Sequence, residues 1–356
     1  MKKNFLSIIA IAVIAISSCK KNETVMPTFN FDDKASTQLM DEFFSKHTRK
    51  DEKFALDAST GGTITLSSGT KINFPANAFK TQSGAAVTGS ISINARDILK
   101  ASDMILTDKP TITSNGEMLE SFGEIIVKAE QNNNALVLNA PKPPSVVVPI
   151  RNAAGQEREV PMWAGDSTIS YTISGYNHEN QSASITNQIS VRRGIAWDQI
   201  PGWGLASPSA TTFPLDALGQ WRNCDALYND PRPKTTVLGY FGDKFNTETG
   251  NNYSSTDPTL LFFKTKGTNT LIKLYNVIFE PASGKEGLLS YQNSIPVGQE
   301  GTFLAMSAKD GKFYAEIKDV TIPAPASGKS YAGFTFNLIE VSESQLLNLI
   351  NQMNTK

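Results

Sequence analysis

The scarcest reactive groups in this 356-residue chain are its two histidines, His47 and His178, and its two cysteines, Cys19 and Cys224. Catalysis of the Ser-His or Cys-His kind would have to run through one of those two imidazoles. His47 sits in a stretch with helical spacing and His178 in a polar one. No Gly-x-Ser-x-Gly elbow, His-Glu-x-x-His pair, P-loop or dinucleotide fingerprint accompanies them. Two carboxylates alone suffice for glycoside hydrolysis. Asp198, Asp216, Asp225, Asp230, Asp243 and Asp257 fall in loop-like sequence, but no spacing singles out a pair. Residues 242–258 collect Asp243, Asn246, Glu248, Asn251, Asn252 and Asp257, hard-oxygen groups of the kind Ca²⁺ takes. Their spacing does not follow the EF-hand template, and a solvated hairpin loop accounts for them. The expectation is no catalytic residue, no metal and no cofactor. Four tryptophans, Trp163, Trp197, Trp203 and Trp221, remain. An exposed indole stacks on a sugar ring, whereas a buried one fills a core or corner. Trp197 and Trp203 share a Gly-, Pro- and Ser-rich stretch, Ile195 to Phe213, and are the candidate ligand-binding residues.

These residues need elements to hold them, and the chain opens with a targeting segment instead. Lys2 and Lys3 precede an apolar run from Phe5 to Ile16, too short to span a bilayer comfortably. It ends in Ile16-Ser17-Ser18-Cys19, which resembles a lipobox. The resemblance implies cleavage after residue 18 and lipidation of Cys19, giving a lipid-anchored outer-membrane protein whose membrane face is open. Several acyl chains, each contributing about 0.8 kcal/mol per buried CH₂, anchor firmly. Loss of Lys2 and Lys3 moves the formal charge of −1 two units further negative. No basic patch interleaved with aromatics appears, so nucleic acid is not an expected partner. With Cys19 lipidated, Cys224 is left without an intramolecular disulfide partner and reads as a small buried hydrophobe.

Residues 19–56 read as a tether and a short helix near 33–47, with Ser36 as its candidate N-cap. From Thr63 the pattern becomes β: Ile64 and Leu66, then Ile72 and Phe74, alternate with polar residues around Ser68-Gly69, a hairpin signal. Val87, Ile91, Ile93 and Ala95 make the next one-sided strand, and Ile125, Val127 and Ala129 close the unit. The run Thr63-Ile-Thr-Leu-Ser-Ser-Gly69, with Pro75-Ala76, Ala78-Phe79, Gly84 and Val87-Thr88-Gly89, resembles the ZU5-like β-domain of Bacteroidetes surface proteins and lipoproteins. That resemblance implies an interaction module over residues 57–140. The His-Phe-Ser tripeptide at which some ZU5 proteins cleave themselves is missing.

Residues 141–213 are rich in proline and glycine and read as a β linker, with 195–213 a long irregular connection. Residues 214–356 read as a C-terminal β-sandwich. Asp310-Gly311 makes a tight hairpin, and Ser342 and Gln345 form a capping box before a final helix. Within this part Leu218 to Asp230, Leu-Gly-Gln-Trp-Arg-Asn-Cys-Asp-Ala-Leu-Tyr-Asn-Asp, resembles a motif of uncharacterised Bacteroidetes lipoproteins. The expected fold class is mostly β, a ZU5-like domain followed by a β-sandwich, with short helices at each end. The expected function is non-enzymatic binding or scaffolding of a protein or glycan partner at the outer membrane. The alternatives are a glycan-capturing surface lipoprotein, which needs Trp197 or Trp203 exposed, and a carboxylate-dependent hydrolase, which needs two acids converging in a cleft.

Overall fold

The computed structural model describes residues 34–149, 160–166, 168–174, 184–190, 195–204, 211–241, 258–274, 276–280, 285–329 and 331–356. The leader, Cys19, His178 and residues 242–257 lie outside these. The described residues form one compact unit, and it is mostly β, as the alternation predicts.

Two layers of strand make the first half. An eight-stranded sheet runs in spatial order Glu52–Asp57, Ser90–Ile98, Leu119–Gln131, Arg222–Leu227, Pro161–Asp166 and Ala196–Gly204, with Asn134–Leu138 and Phe79–Thr81 branching from Leu119–Gln131. Facing it is a four-stranded sheet, Thr211–Pro214, Ser145–Val148, Lys71–Phe74 and Gly62–Thr65. The hairpin read from the sequence is there: Gly62–Thr65 pairs antiparallel with Lys71–Phe74. Gly69 takes φ 96° in its turn, where a side chain would be strained. Ser68 and Thr70 in that turn both donate to the buried Asp97 carboxylate, which also meets Arg49 at 2.6 Å. Ile72, Phe74, Val146 and Phe213 pack against Ile93, Ile125, Val127 and Cys224 between the sheets.

This arrangement redraws the expected boundaries. Residues 141–213 are not a linker: four of their strands complete the first sandwich, and the stretch expected to be irregular supplies Ala196–Gly204 and Thr211–Pro214. Nor does the second sandwich begin at 214, because Arg222–Leu227 lies in the middle of the first large sheet. Short apolar runs between prolines are weak strands alone. They form here because the prolines fall at strand ends, where a missing N–H costs least: Pro144 and Pro149 flank Ser145–Val148, Pro161 opens Pro161–Asp166 and Pro214 closes Thr211–Pro214.

The second half has two five-stranded sheets. One carries Asn276–Glu280, Lys285–Leu289, Lys234–Phe241 and Ile295–Pro296, with Tyr331–Phe336 parallel to Lys234–Phe241. The other runs Leu271–Lys273, Leu260–Thr265, Glu300–Lys309, Lys312–Thr321 and Ile339–Val341. Leu271–Lys273 thus belongs to one sheet and Asn276–Glu280 to the other. The Asp310-Gly311 hairpin forms with both residues at positive φ, 51° and 74°, the geometry that suits a two-residue loop. Val237, Leu261, Phe263, Phe303 and Phe336 fill the space between the sheets.

Three helices cover the outer face of the second sheet: α1 (Lys34–His47), α2 (Ala101–Thr107) and α3 (Glu343–Gln352). Met40 and Phe43 of α1, Met104 and Ile105 of α2, and Leu346 and Ile350 of α3 pack on Phe262, Leu304, Met306 and Phe313. Leu260–Thr265 is therefore buried on both faces, which explains its unbroken apolar run. Ser342 caps α3 with Gln345 in the expected box. Helix α1 starts at Lys34, so Ser36 lies inside it and is not its N-cap. The sequence gives no signal for α2: its N-cap position is Lys100, with no capping side chain. It forms because Met104, Ile105 and Leu106 have a core to enter.

Candidate functional site

The Leu218–Asp230 motif sits where the two halves meet. Along Arg222–Leu227 successive side chains point to opposite faces. Cys224 and Ala226 enter the first core, and Asn223 and Asp225 are buried on the other face, both 0% exposed. The neighbouring strand Leu119–Gln131 has one extra residue there, since Asn223 pairs with Glu124 while Asp225 pairs with Ser121. Gly123 in this bulge takes φ 142°, and a Cβ on it would approach Leu99 and Val148 to 3.0 and 3.1 Å. The bulge lets Ser121 and Glu124, three apart, line the same polar face.

Two carboxylates are thereby sealed side by side. Asn223 donates to Asp225, and Ser121 donates to Asn223 at 3.3 Å. Burial raises the Asp225 carboxyl from 3.8 to about 7 against the pull of donors from Ser121, Asn223 and the Phe122 backbone. Burial also raises Glu124 well above the ordinary carboxylate range, the Asp225 charge adds to this, and Lys109 opposes it. Among the described residues neither Glu124 oxygen has a hydrogen-bond partner, which fits a protonated, uncharged acid. The thiol of Cys224 is likewise pushed well up by burial. It is an inert core group, as expected from a lone cysteine. Nearby, Lys273 of the second half reaches Asp108 after α2 at 2.6 Å, with both side chains at 1% exposure or less.

At the rim of this junction is a pocket of about 410 Å³. Its walls come from the end of α1 and the residues after it (Phe44, Thr48), the end of α2 (Leu106), Lys109, Arg96 and Trp221. The Arg96 guanidinium lies 5.3 Å and the Lys109 ammonium 5.9 Å from the Trp221 ring centroid, within cation–π range. Arg96 Nε faces Asp51 at 3.2 Å and Nη1 donates to the Arg49 carbonyl at 3.0 Å. Burial pulls the Lys109 ammonium below its ordinary value, Asp108 and Glu124 hold it up, and Arg96 and Lys273 press it down. Thr48 Oγ1 donates to the Leu106 carbonyl at 2.6 Å and ties the α1 end to α2.

The residues named from the sequence are placed differently. Trp197 is no sugar platform: it is fully buried, its indole donates to the Pro110 carbonyl at 2.9 Å, and it packs with Leu119, Trp163 and Ile195. The side chain of Trp203 lies outside the described residues. His47 contacts Glu343 of α3 at 2.6 Å, and its ring packs at a tilt of 49° against Phe43. Asp216 pairs with Arg222 at 2.5 Å, Asp230 with Arg232 at 2.5 Å, and Asp198 accepts from Ser114. Asp225 is the one loop-acid candidate with a raised pKa among the described residues, and it is sealed in a strand. Among the described residues no group of three or more His, Cys, Asp or Glu could hold a metal ion, and no helix is long and apolar enough to cross a membrane. Sequence reasoning missed Arg96 and Lys109, which lie far from Trp221 along the chain. Trp221 is one of the four tryptophans in the sequence, but nothing in its spacing sets it apart as a binding residue.

Compared with models of known families, with curated proteins and with solved structures, the chain gives no match.

Proposed function

We propose that this chain is a lipid-anchored envelope protein, tethered through Cys19, that binds a partner without catalysing a reaction, and that the Trp221 pocket is where it binds. One observation carries the reading: a concave site of about 410 Å³ in which one indole lies under two cationic side chains. Concavity, an aromatic wall and a few convergent polar groups are what ligand sites share. The chemistry a hydrolase would need is elsewhere, in Glu124 and Asp225, which are 0% exposed. A ZU5-like interaction module at the outer membrane agrees with such a role.

In cells, a photo-crosslinking amino acid at Thr107, on the pocket wall, should form an adduct that the same residue at Ser83, on an exposed turn, does not. Equal labelling at both positions would sink the assignment. A Cys19→Ala variant should lose incorporation of an alkyne fatty acid; unchanged labelling would remove the anchor.

A further inference from the structure

The Trp221 pocket has a sign of charge. Lys50, Arg96 and Lys109 stand on its walls against Asp41. Of the acids beyond its walls, Asp51 is shared between Arg96 and Lys128, and Asp108 pairs with Lys273. Arg96 faces Asp51, and Lys109 is held up by Asp108 and Glu124 but pressed down by Arg96, so a further negative charge between the two cations would ease their mutual repulsion. Among the described residues nothing accepts from Arg96 Nη2, while Nη1 is taken by the Arg49 carbonyl. The ends of α1 and α2 also meet here, and helix C-termini favour cations. Two of their carbonyls are already satisfied, Ser45 by Lys50 and Leu106 by Thr48, so the side-chain charges decide.

Resting on the reading of this pocket as the binding site, we propose that it takes a small organic anion, its charged head held by Arg96 and Lys109 and its apolar body laid on Trp221, Phe44 and Leu106. Charge-assisted hydrogen bonds from a guanidinium and an ammonium are the stronger kind, and the indole wall adds contact area that inorganic anions cannot use. The site is an open depression of about 410 Å³, wide enough to admit a ring bearing one carboxylate.

The test titrates the mature, full-length protein with four probes by calorimetry and by ligand-observed NMR: benzoate, glucuronate, benzyl alcohol and benzylamine. The expected result is that benzoate or glucuronate binds about tenfold or more tighter than benzyl alcohol, a difference of about 1.4 kcal/mol. Which acid wins assigns the body as aromatic or as a sugar acid. Lys109→Met and Arg96→Gln, each checked for an unchanged unfolding midpoint, should each weaken the acid about tenfold and leave benzyl alcohol unchanged. Benzylamine binding best, benzyl alcohol equalling the acids, or folded variants of unaltered affinity would overturn the anion while leaving the pocket as a binding site. Silence from all four probes would overturn both.

Discussion

Asp225→Asn isolates the sealed acid cluster. In the folded protein the Asp225 carboxyl is raised from 3.8 to about 7 by burial. The native state therefore holds this proton more tightly than the unfolded chain does. The resulting stabilisation is fully present below about pH 4 and is lost as pH rises through about 7. At 1.36 kcal/mol per pH unit, a rise from 3.8 to about 7 is worth about 4 kcal/mol. An asparagine carries no titrating proton and keeps an oxygen to accept from Asn223. It also adds an amide N–H that costs about 1–3 kcal/mol if it finds no acceptor. Urea unfolding of wild type and variant at half-unit steps from pH 4.5 to 8.5 gives the difference in stability. That difference should move steadily in favour of the variant as pH rises and level off above about pH 7. Glu124 titrates in both proteins, so its own slope largely cancels, apart from its coupling to the Asp225 charge. A difference independent of pH would refute the claim that Asp225 is a proton-holding group.

Lys273→Met strands Asp108 in the interior without its cation and should cost about 3–5 kcal/mol by urea unfolding. The double variant Asp108→Asn/Lys273→Met should recover most of that, and a single variant as stable as wild type would contradict the pairing. Met104→Ala empties a fully buried position in α2 that binds the helical layer together, at a cost of about 2–5 kcal/mol; a loss below about 0.5 kcal/mol would mean that α2 does not pack as described. Anion affinity should fall with rising pH before the ordinary lysine value of 10.5 is reached, because burial lowers Lys109 and only its protonated form attracts the anion. Titrations with benzoate from pH 7 to 10 check this, and Lys109→Met should flatten the curve.

What the sequence made legible was local. The Gly62–Phe74 and Asp310-Gly311 hairpins announce themselves because alternation and turn chemistry lie within a few residues. So does the capping box of α3. What it hid was long-range. Ser145–Val148 and Thr211–Pro214 look like linker sequence until each finds the other in the four-stranded sheet. Trp197 looks mobile beside glycines and prolines, yet it packs against Trp163 and reaches Pro110, contacts no spacing rule anticipates. The buried role of Cys224 could be read from its solitude. The unusual neighbours of that thiol could not, because a bulge at Gly123 decides which side chains share its strand's other face. The pocket was the least legible feature, assembled from Thr48, Arg96, Lys109 and Trp221, which come from four separate stretches of the chain.

The most direct measurement is a crystal structure of the mature protein soaked with saturating benzoate. The account predicts density for one ring against Trp221, with the carboxylate within hydrogen-bond distance of Arg96 Nη2 and the Lys109 ammonium. An empty pocket, or benzoate bound elsewhere on the molecule alone, would contradict it.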